Sequence, residues 1–154
     1  MNAREKAAAY LSRGSKTRWQ VIKYLRDKGY DESDIEDAVS ELMEYHFIDD
    51  LNFSKMYFEL GFDKGRGALR IKRELSEKGV DQDIIEEALS ELEEVPDQYE
   101  MAMEIGGKVV SDYDLQALDY NEKQKLMAKI VRKLAGRGFS ADVSYSVAKS
   151  LVNR

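Results

Sequence analysis

The chain has 154 residues, a net charge of −6 and charged side chains at 35% of its positions, and its length suits one domain with a real core. It has no cysteine, no long uncharged apolar run and no basic start that leads into a hydrophobic stretch. Disulfides, a membrane span and a secretory signal therefore lack support, and we expect a cytoplasmic protein. One proline and few β-branched runs favour helices over sheet, which predicts an all-α fold.

One pattern of helix, glycine stop, cap and second helix occurs three times along the chain. It is clearest over residues 73–92, recurs upstream over 23–42, and returns more loosely over 132–151. Such a repeat predicts three units of three helices that stack and close each other's apolar faces. The predicted repeats are 1–50, 51–95 and 96–154.

The first helix is predicted over about residues 2–13, with Gly14 ending it. Ser15 is then well placed as the N-cap of a second helix that runs to Lys28.

Each second helix ends in the same predicted stop. A glycine takes the left-handed conformation, and the apolar residue after it folds back on a leucine of the last turn, as in a Schellman motif. The three stops are Gly29 with Tyr30 and Leu25, Gly79 with Val80 and Leu75, and Gly138 with Phe139 and Leu134. A capping residue follows each stop at once: Asp31, Asp81 and Ser140. The turn is therefore predicted to be tight in all three repeats.

The third helix of the first repeat is predicted to end near Tyr45, with His46 in the place of a C-terminal glycine. Residues 47–50 then cap a helix over about 51–62. One face of that helix carries Phe53, Met56, Tyr57 and Leu60 at helical spacing.

The clearest linker lies over residues 93–97, where Pro96 is expected to set the first-turn geometry of a helix over about 97–110. Residues 111–119 are predicted to be irregular. Apolar positions repeated in the second and third helices predict the core: Leu25, Ile35, Val39, Leu42, Leu75, Ile85, Leu89, Leu92, Leu134, Val147 and Leu151.

Charge alternates in blocks that follow the repeats. Residues 1–30 carry eight basic and two acidic side chains, 64–79 six and two, and 123–154 eight and one. Residues 31–63 and 80–122 carry one basic side chain each, against eleven and fourteen acidic ones. The second helix of each repeat is thus basic, so the total charge does not indicate the partner.

No catalytic, cofactor or metal site is predicted. A lone histidine, the lack of cysteine and the lack of Gly-x-Ser-x-Gly exclude the common nucleophilic arrangements and structural zinc. The glycines of 65–67 lack the preceding strand and the following Gly-Lys-Ser/Thr of a phosphate loop. Asp49 and Asp50 are explained by capping and the helix dipole, and His46 by its stop. We therefore expect a protein that is not an enzyme.

The aligned repeats place cations at equivalent positions, and their spacing predicts a basic stripe on each second helix. The candidate binding residues are Lys16, Lys23, Lys64, Arg66, Arg70, Arg73, Lys78, Lys125, Lys129, Arg132 and Arg137. Two interpretations stay open. One is a solvated face, with cations near helix C-termini favoured by the dipole. The other is a docking surface for a polyanion or an acidic protein groove.

A helix-turn-helix reader of DNA is disfavoured, because the helices after the turns begin with acidic residues over 32–37 and 82–87. If nucleic acid is contacted, the second helices or the loop 64–66 should make the contact. Aromatic residues are not concentrated there, which argues against recognition of single strands by stacking.

Several motifs resemble those of the RecX family, the regulators of the RecA recombinase. They are Phe47-Ile-Asp-Asp-x-x-Phe53, Lys64-Gly, Arg70-Ile71, Glu74-Leu75, Lys78-Gly-Val80, Ala88-Leu89 and Arg137-Gly-Phe-Ser140. The resemblance covers nearly the whole chain. It implies three tandem three-helix repeats in a curved, elongated body that binds the RecA–DNA filament and modulates, usually inhibits, strand exchange, ATP hydrolysis and coprotease activity. His46, Asn52 and residues 19–21 depart from the usual pattern.

The expected partner is therefore the RecA filament, with single- or double-stranded DNA as a further partner through its phosphates. No membrane partner is expected, and the protein is expected to be a monomer without a cofactor. Two other interpretations remain open: a helical nucleic-acid-binding protein that acts without RecA, and an adaptor whose repeats bind a helical peptide.

Overall fold

A computed structural model describes residues 1–153, and in this range it contains nine α-helices, one short 3-10 helix and no strand. The α-helices are α1 (Ala3–Leu11), α2 (Arg18–Asp27), α3 (Glu32–Glu44), α4 (Asp50–Asp63), α5 (Ala68–Glu77), α6 (Gln82–Glu91), α7 (Gln98–Val110), α8 (Tyr120–Arg137) and α9 (Ala141–Val152). The 3-10 helix, Leu115–Ala117, lies in the segment predicted to be irregular. The all-α prediction with three sets of three helices is confirmed.

Two compact units divide the chain. The first combines Met1–Tyr57 with Glu74–Leu92, and the second combines Phe58–Arg73 with the chain from Glu93 onward. Helices α1, α2 and α3 pack on one another in the first unit, and α7, α8 and α9 pack on one another in the second. The repeat boundaries deduced from the sequence stay a prediction.

The three glycine stops are confirmed. Gly29, Gly79 and Gly138 have φ angles of 89°, 85° and 101°, which only glycine adopts readily. The amide of the following residue donates to the predicted leucine carbonyl in each case, at 3.1 to 3.2 Å. Asp31 and Ser140 accept hydrogen bonds from the first turns of α3 and α9, whereas Asp81 occupies the N-cap of α6 without such a bond.

Two further stops of this kind end α3 and α4. His46 has a φ angle of 62°, and the amide of Phe47 donates to the Leu42 carbonyl at 2.9 Å, which confirms the predicted role of the histidine. Gly65 has a φ angle of 80°, and the amide of Arg66 donates to the Gly61 carbonyl at 2.9 Å. The loop before α5 is therefore a helix stop, which the sequence analysis missed.

Two predictions about helix starts are wrong. Thr17, not Ser15, caps α2, because Gln20 lies three residues after it and completes a capping box. Pro96 precedes the N-cap of α7 instead of occupying its first turn, since Asp97 is the N-cap and accepts from the Glu100 amide at 2.9 Å.

Each unit has its own apolar core. In the first, Val21, Leu25, Ile35, Val39 and Leu42 pack together. In the second, the predicted Leu134, Val147 and Leu151 join residues of α7 and α8. Leu75 and Ile85 are also buried, as predicted.

Leu89 and Leu92 are only half-buried, which corrects the prediction that they lie in the core. Leu92 follows the end of α6 in extended backbone, where the linker begins. On α4, Met56 and Leu60 of the predicted apolar face are 50% and 56% exposed, and the helix buries Ser54 and Phe58. Among the described helices, none combines the length and apolarity that crossing a bilayer requires.

Candidate binding surface

The start of α5 packs directly on the end of α8 in the second unit. The Gly67 amide donates to the Arg137 carbonyl at 2.7 Å, and the Leu69 amide donates to the Gly138 carbonyl at 3.1 Å. Gly138 has no room for a side chain, because a Cβ there would lie 2.7 Å from the Arg70 backbone nitrogen. We call this contact the α5–α8 joint.

The α5–α8 joint also explains why α5 starts without a serine, threonine or aspartate cap. Its first amides are satisfied by other parts of the chain: Gly67 and Leu69 by the end of α8, and Ala68 by the Gln98 side chain at 2.9 Å. The segment that carries Arg66 and Arg70 is therefore fixed by hydrogen bonds at its backbone.

Four candidate cations lie around the α5–α8 joint. The Arg137 guanidinium reaches the stop of α4, where its Nη1 would lie 3.3 Å from a Cβ on Gly65, between Lys64 and Arg66. Arg66, Arg70 and Arg137 are half-buried, and Lys64 is exposed. The fold thus brings together cations from two distant parts of the sequence, which no repeat alignment could show.

A second group of cations lies along α8. Lys125, Lys129 and Arg132 are exposed and share one face of this helix, over about 10 Å of its length. Lys129 Nζ donates to the Tyr113 hydroxyl at 3.0 Å. The stripe predicted for the second helix of the third repeat is therefore present, and we call it the α8 row.

The stripe is less regular in the other two repeats. Lys16 and Arg66 lie before the N-caps of α2 and α5, so the prediction that they sit on the same helical face as Lys23 and Arg73 is wrong. The reason is that α8 begins earlier in its repeat than α2 and α5 do. Lys23 and Arg73 are on helices and exposed.

The first unit places lysines against aromatic rings. The ammonium groups of Lys16, Lys23 and Lys78 lie 5.0, 5.3 and 5.6 Å from the ring centres of Tyr10, Trp19 and Tyr57. In the second unit Lys129 lies 5.5 Å from the ring centre of Tyr113. These are cation–π distances. The sequence indicated that aromatic residues are not concentrated on the second helices, and three of these four rings do come from α1, α4 and the 111–119 segment.

The start of α2 receives a similar tertiary cap in the first unit. The Thr17 hydroxyl donates to the Lys78 carbonyl at 2.6 Å, and an Asp50 carboxylate oxygen accepts from the Arg18 amide at 2.8 Å. Burial is the largest cause that raises the pKa of Asp50 above its ordinary value, and the bond from the Arg18 backbone opposes it. Asp49 caps its own helix by accepting from the Asn52 amide at 3.0 Å.

Asp49 and Asp50 thus cap two different helices, which fits their interpretation from the sequence. In the described part of the chain, no three or more histidine or acidic side chains come together as metal ligands could. His46 is exposed, with Nδ1 3.7 Å from an Asp49 carboxylate oxygen. Within each unit, the candidate residues offer guanidinium and ammonium donors, which are suited to phosphates and carboxylates.

Family models match two of the three repeats. Residues 3–42 match the model described as RecX, first three-helix domain, and residues 49–89 match the model described as RecX, second three-helix domain. The chain belongs to the RecX family. The resemblance read from the sequence motifs is thereby confirmed.

Relatives from several bacteria support the same family assignment. The chain is 34% identical to the regulatory protein RecX of Vibrio parahaemolyticus over 149 residues, which covers 96% of this chain and 91% of that protein. It is 31% identical to the regulatory protein RecX of Clostridium beijerinckii, covering 99% of this chain and 69% of that protein. The crystal structure of RecX from Lactobacillus salivarius superposes with a TM-score of 0.81 at 26% identity, covering 99% and 96% of the two chains.

Proposed function

We propose that this protein is a non-enzymatic regulator that binds the RecA–DNA filament and modulates, usually inhibits, the recombinase, ATPase and coprotease activities of RecA. The observation that carries the proposal is the grouping of Lys64, Arg66, Arg70 and Arg137 around the α5–α8 joint. The naming of its RecX relatives as regulatory proteins supports a regulatory role. Action on a DNA-bound recombinase would place the protein in the cytoplasm, and one copy would suffice.

The cations of the α5–α8 joint suit a filament that contains DNA. Guanidinium groups bind phosphates and carboxylates through paired N–H donors, and the backbone of Arg66 and Arg70 is held by the joint. A segment whose backbone is already ordered loses less conformational freedom on binding than a mobile loop does. The acidic α3 and α6 would then face away from DNA or meet basic patches of RecA.

The direct test is the rate of DNA-dependent ATP hydrolysis by RecA as this protein is added. We expect the rate to fall, and the protein to co-sediment with filaments assembled on single-stranded DNA. An unchanged rate together with no co-sedimentation would contradict the proposal.

Charge reversal tests the cations themselves. Arg70→Glu with Arg73→Glu is expected to weaken filament binding, and the helicity and melting temperature of the variant check that the fold is retained. Because Arg70 contacts the α5–α8 joint, Lys125→Glu with Arg132→Glu on the exposed α8 row provides a second reversal away from it. Lys149→Glu on α9, compared with Arg132→Glu alone, is the matched control for one reversal, and an equal loss in these two variants would attribute the effect to net charge alone.

A second candidate function is direct DNA binding without RecA, which the lysine–aromatic pairs of the first unit favour. Binding that rests on phosphates weakens as salt rises, with a log–log slope of about −0.7 per phosphate contact on single strands. Steep salt dependence on bare DNA, with no effect on RecA ATPase, would favour this candidate. A peptide-binding adaptor would show neither effect.

A further inference from the structure

Two of the three glycine stops close on the start of another helix. At the α5–α8 joint, the carbonyls of Arg137 and Gly138 accept from the first amides of α5. The fit requires glycine, because a side chain at position 138 would overlap Arg70.

The stop of α5 makes the corresponding contact with the start of α2 in the first unit. The Lys78 carbonyl accepts from the Thr17 hydroxyl, and Trp19 packs against Gly79, with its Cδ2 2.8 Å from where a Cβ would be. In each joint the end of one helix accepts donors from the start of another: two backbone amides at the α5–α8 joint, and the Thr17 hydroxyl at the stop of α5. The glycine turn therefore works twice as a docking element for a helix N-terminus.

The third stop, at Gly29, has the same geometry, but none of the described helices docks on it. Its φ angle is 89°, and the Tyr30 amide donates to the Leu25 carbonyl at 3.2 Å. In the part of the chain that the structure describes, a Cβ at Gly29 would meet no atom within 4 Å. The docking element is thus fully formed and open at this position.

The open turn is held in shape by its own side chains. Arg26 Nε and Nη2 donate to the two carboxylate oxygens of Glu32 at 2.6 and 3.0 Å, which ties α2 to α3 across the turn. A turn that is ordered before it binds loses little freedom when it docks. Lys28 lies beside the glycine and is exposed, in a segment of eight basic and two acidic residues over 1–30.

We propose that the Gly29 turn docks on the N-terminus of a helix in the RecA filament. That helix presents free backbone N–H groups and acidic residues in its first turn, because helix starts favour acidic side chains and the turn is basic. This inference rests on the proposed function. A second copy of the chain does not offer the equivalent helix start, since the corresponding residues 126–129 lie inside α8, where their amides belong to the helix.

The test places one substitution at the three equivalent turns: Gly29→Asn, Gly79→Asn and Gly138→Asn. Asparagine enters the left-handed region more readily than other residues with a side chain, so the turn itself survives. At positions 79 and 138 the new side chain would overlap Trp19 and Arg70, so the melting temperature should fall. At position 29 the melting temperature should stay close to that of the wild type.

Co-sedimentation with RecA filaments on single-stranded DNA then decides the proposal. We expect Gly29→Asn to weaken binding by about tenfold or more, as the loss of a central contact does. Binding equal to that of the wild type would overturn the inference and leave the proposed function intact. Failure of the wild type itself to co-sediment would contradict the proposed function.

Two further measurements cover the remaining outcomes. Lys28→Glu leaves the glycine in place and should also weaken filament binding. Normal binding by this variant would contradict the proposal that the basic turn meets an acidic helix start. This measurement still decides the question if Gly29→Asn proves unstable. A dimer seen by analytical ultracentrifugation that Gly29→Asn dissociates would assign the turn to a second copy and overturn the proposal.

Discussion

Replacement of Gly138 by alanine should cost far more stability than the same replacement at Gly29. Both glycines have left-handed backbone, with φ angles of 101° and 89°, so each alanine costs about 1 to 2 kcal/mol in backbone strain. Only at Gly138 does the new methyl group also meet a neighbour, 2.7 Å from the Arg70 backbone nitrogen. Overpacking of this kind adds about 1 to 3 kcal/mol.

The expected losses in the free energy of unfolding are thus about 2 to 5 kcal/mol for Gly138→Ala and about 1 to 2 kcal/mol for Gly29→Ala. Urea unfolding followed by circular dichroism measures both, with the m value as a check that the transition itself has not changed. Equal losses at the two positions would refute the reasoning, because they would mean that the α5–α8 joint accommodates the extra methyl group with no loss of stability.

Three other changes test the packing and the capping. Ser144→Ala should raise the free energy of unfolding by about 1 kcal/mol, because the buried hydroxyl finds no hydrogen-bond partner among the described residues, while Ser146→Ala on the exposed face should not. Thr17→Ala should cost about 1 kcal/mol or more by thermal melting, since it removes both a cap and a tertiary hydrogen bond; a neutral result would contradict the joint in the first unit. Asp50→Asn keeps an oxygen acceptor for the Arg18 amide. The pKa of Asp50 is raised, so its ionised form destabilises the fold above that pKa. The variant should therefore have the larger free energy of unfolding at neutral pH. This difference in stability between the two proteins should disappear as the pH falls to about 4, where the carboxyl of the wild type becomes protonated. A constant difference across this range would contradict burial of the carboxylate.

Local chemistry made most helix ends predictable. The left-handed stops at Gly29, Gly79 and Gly138 and the caps at Asp31 and Ser140 depend on residues within one turn, so the sequence alone identifies them. The apolar spacing of α2, α3, α8 and α9 likewise predicted the buried leucines and valines there.

Tertiary partners explain most of the failures. The exception is Thr17, which has a local signature that the sequence analysis missed, because Gln20 completes a capping box with it. Gly67 caps α5 because carbonyls of α8 reach the first amides of that helix, and these bonds have no local signature apart from the glycine itself. The aromatic partners of the lysines were missed for the same reason, since they come from other elements.

The amino-acid sequence by itself determined the helical class, the threefold repeat, the stops and the set of basic residues, because these follow from short-range spacing and composition. Only the tertiary structure decided which cations lie together and which glycine turns are occupied. Arg137 reaches the stop at Gly65, and helix starts close the turns at Gly79 and Gly138, while no described residue closes the turn at Gly29. Backbone hydrogen bonds between distant segments determine these contacts, and the sequence does not reveal them because every residue except proline has both a backbone donor and an acceptor.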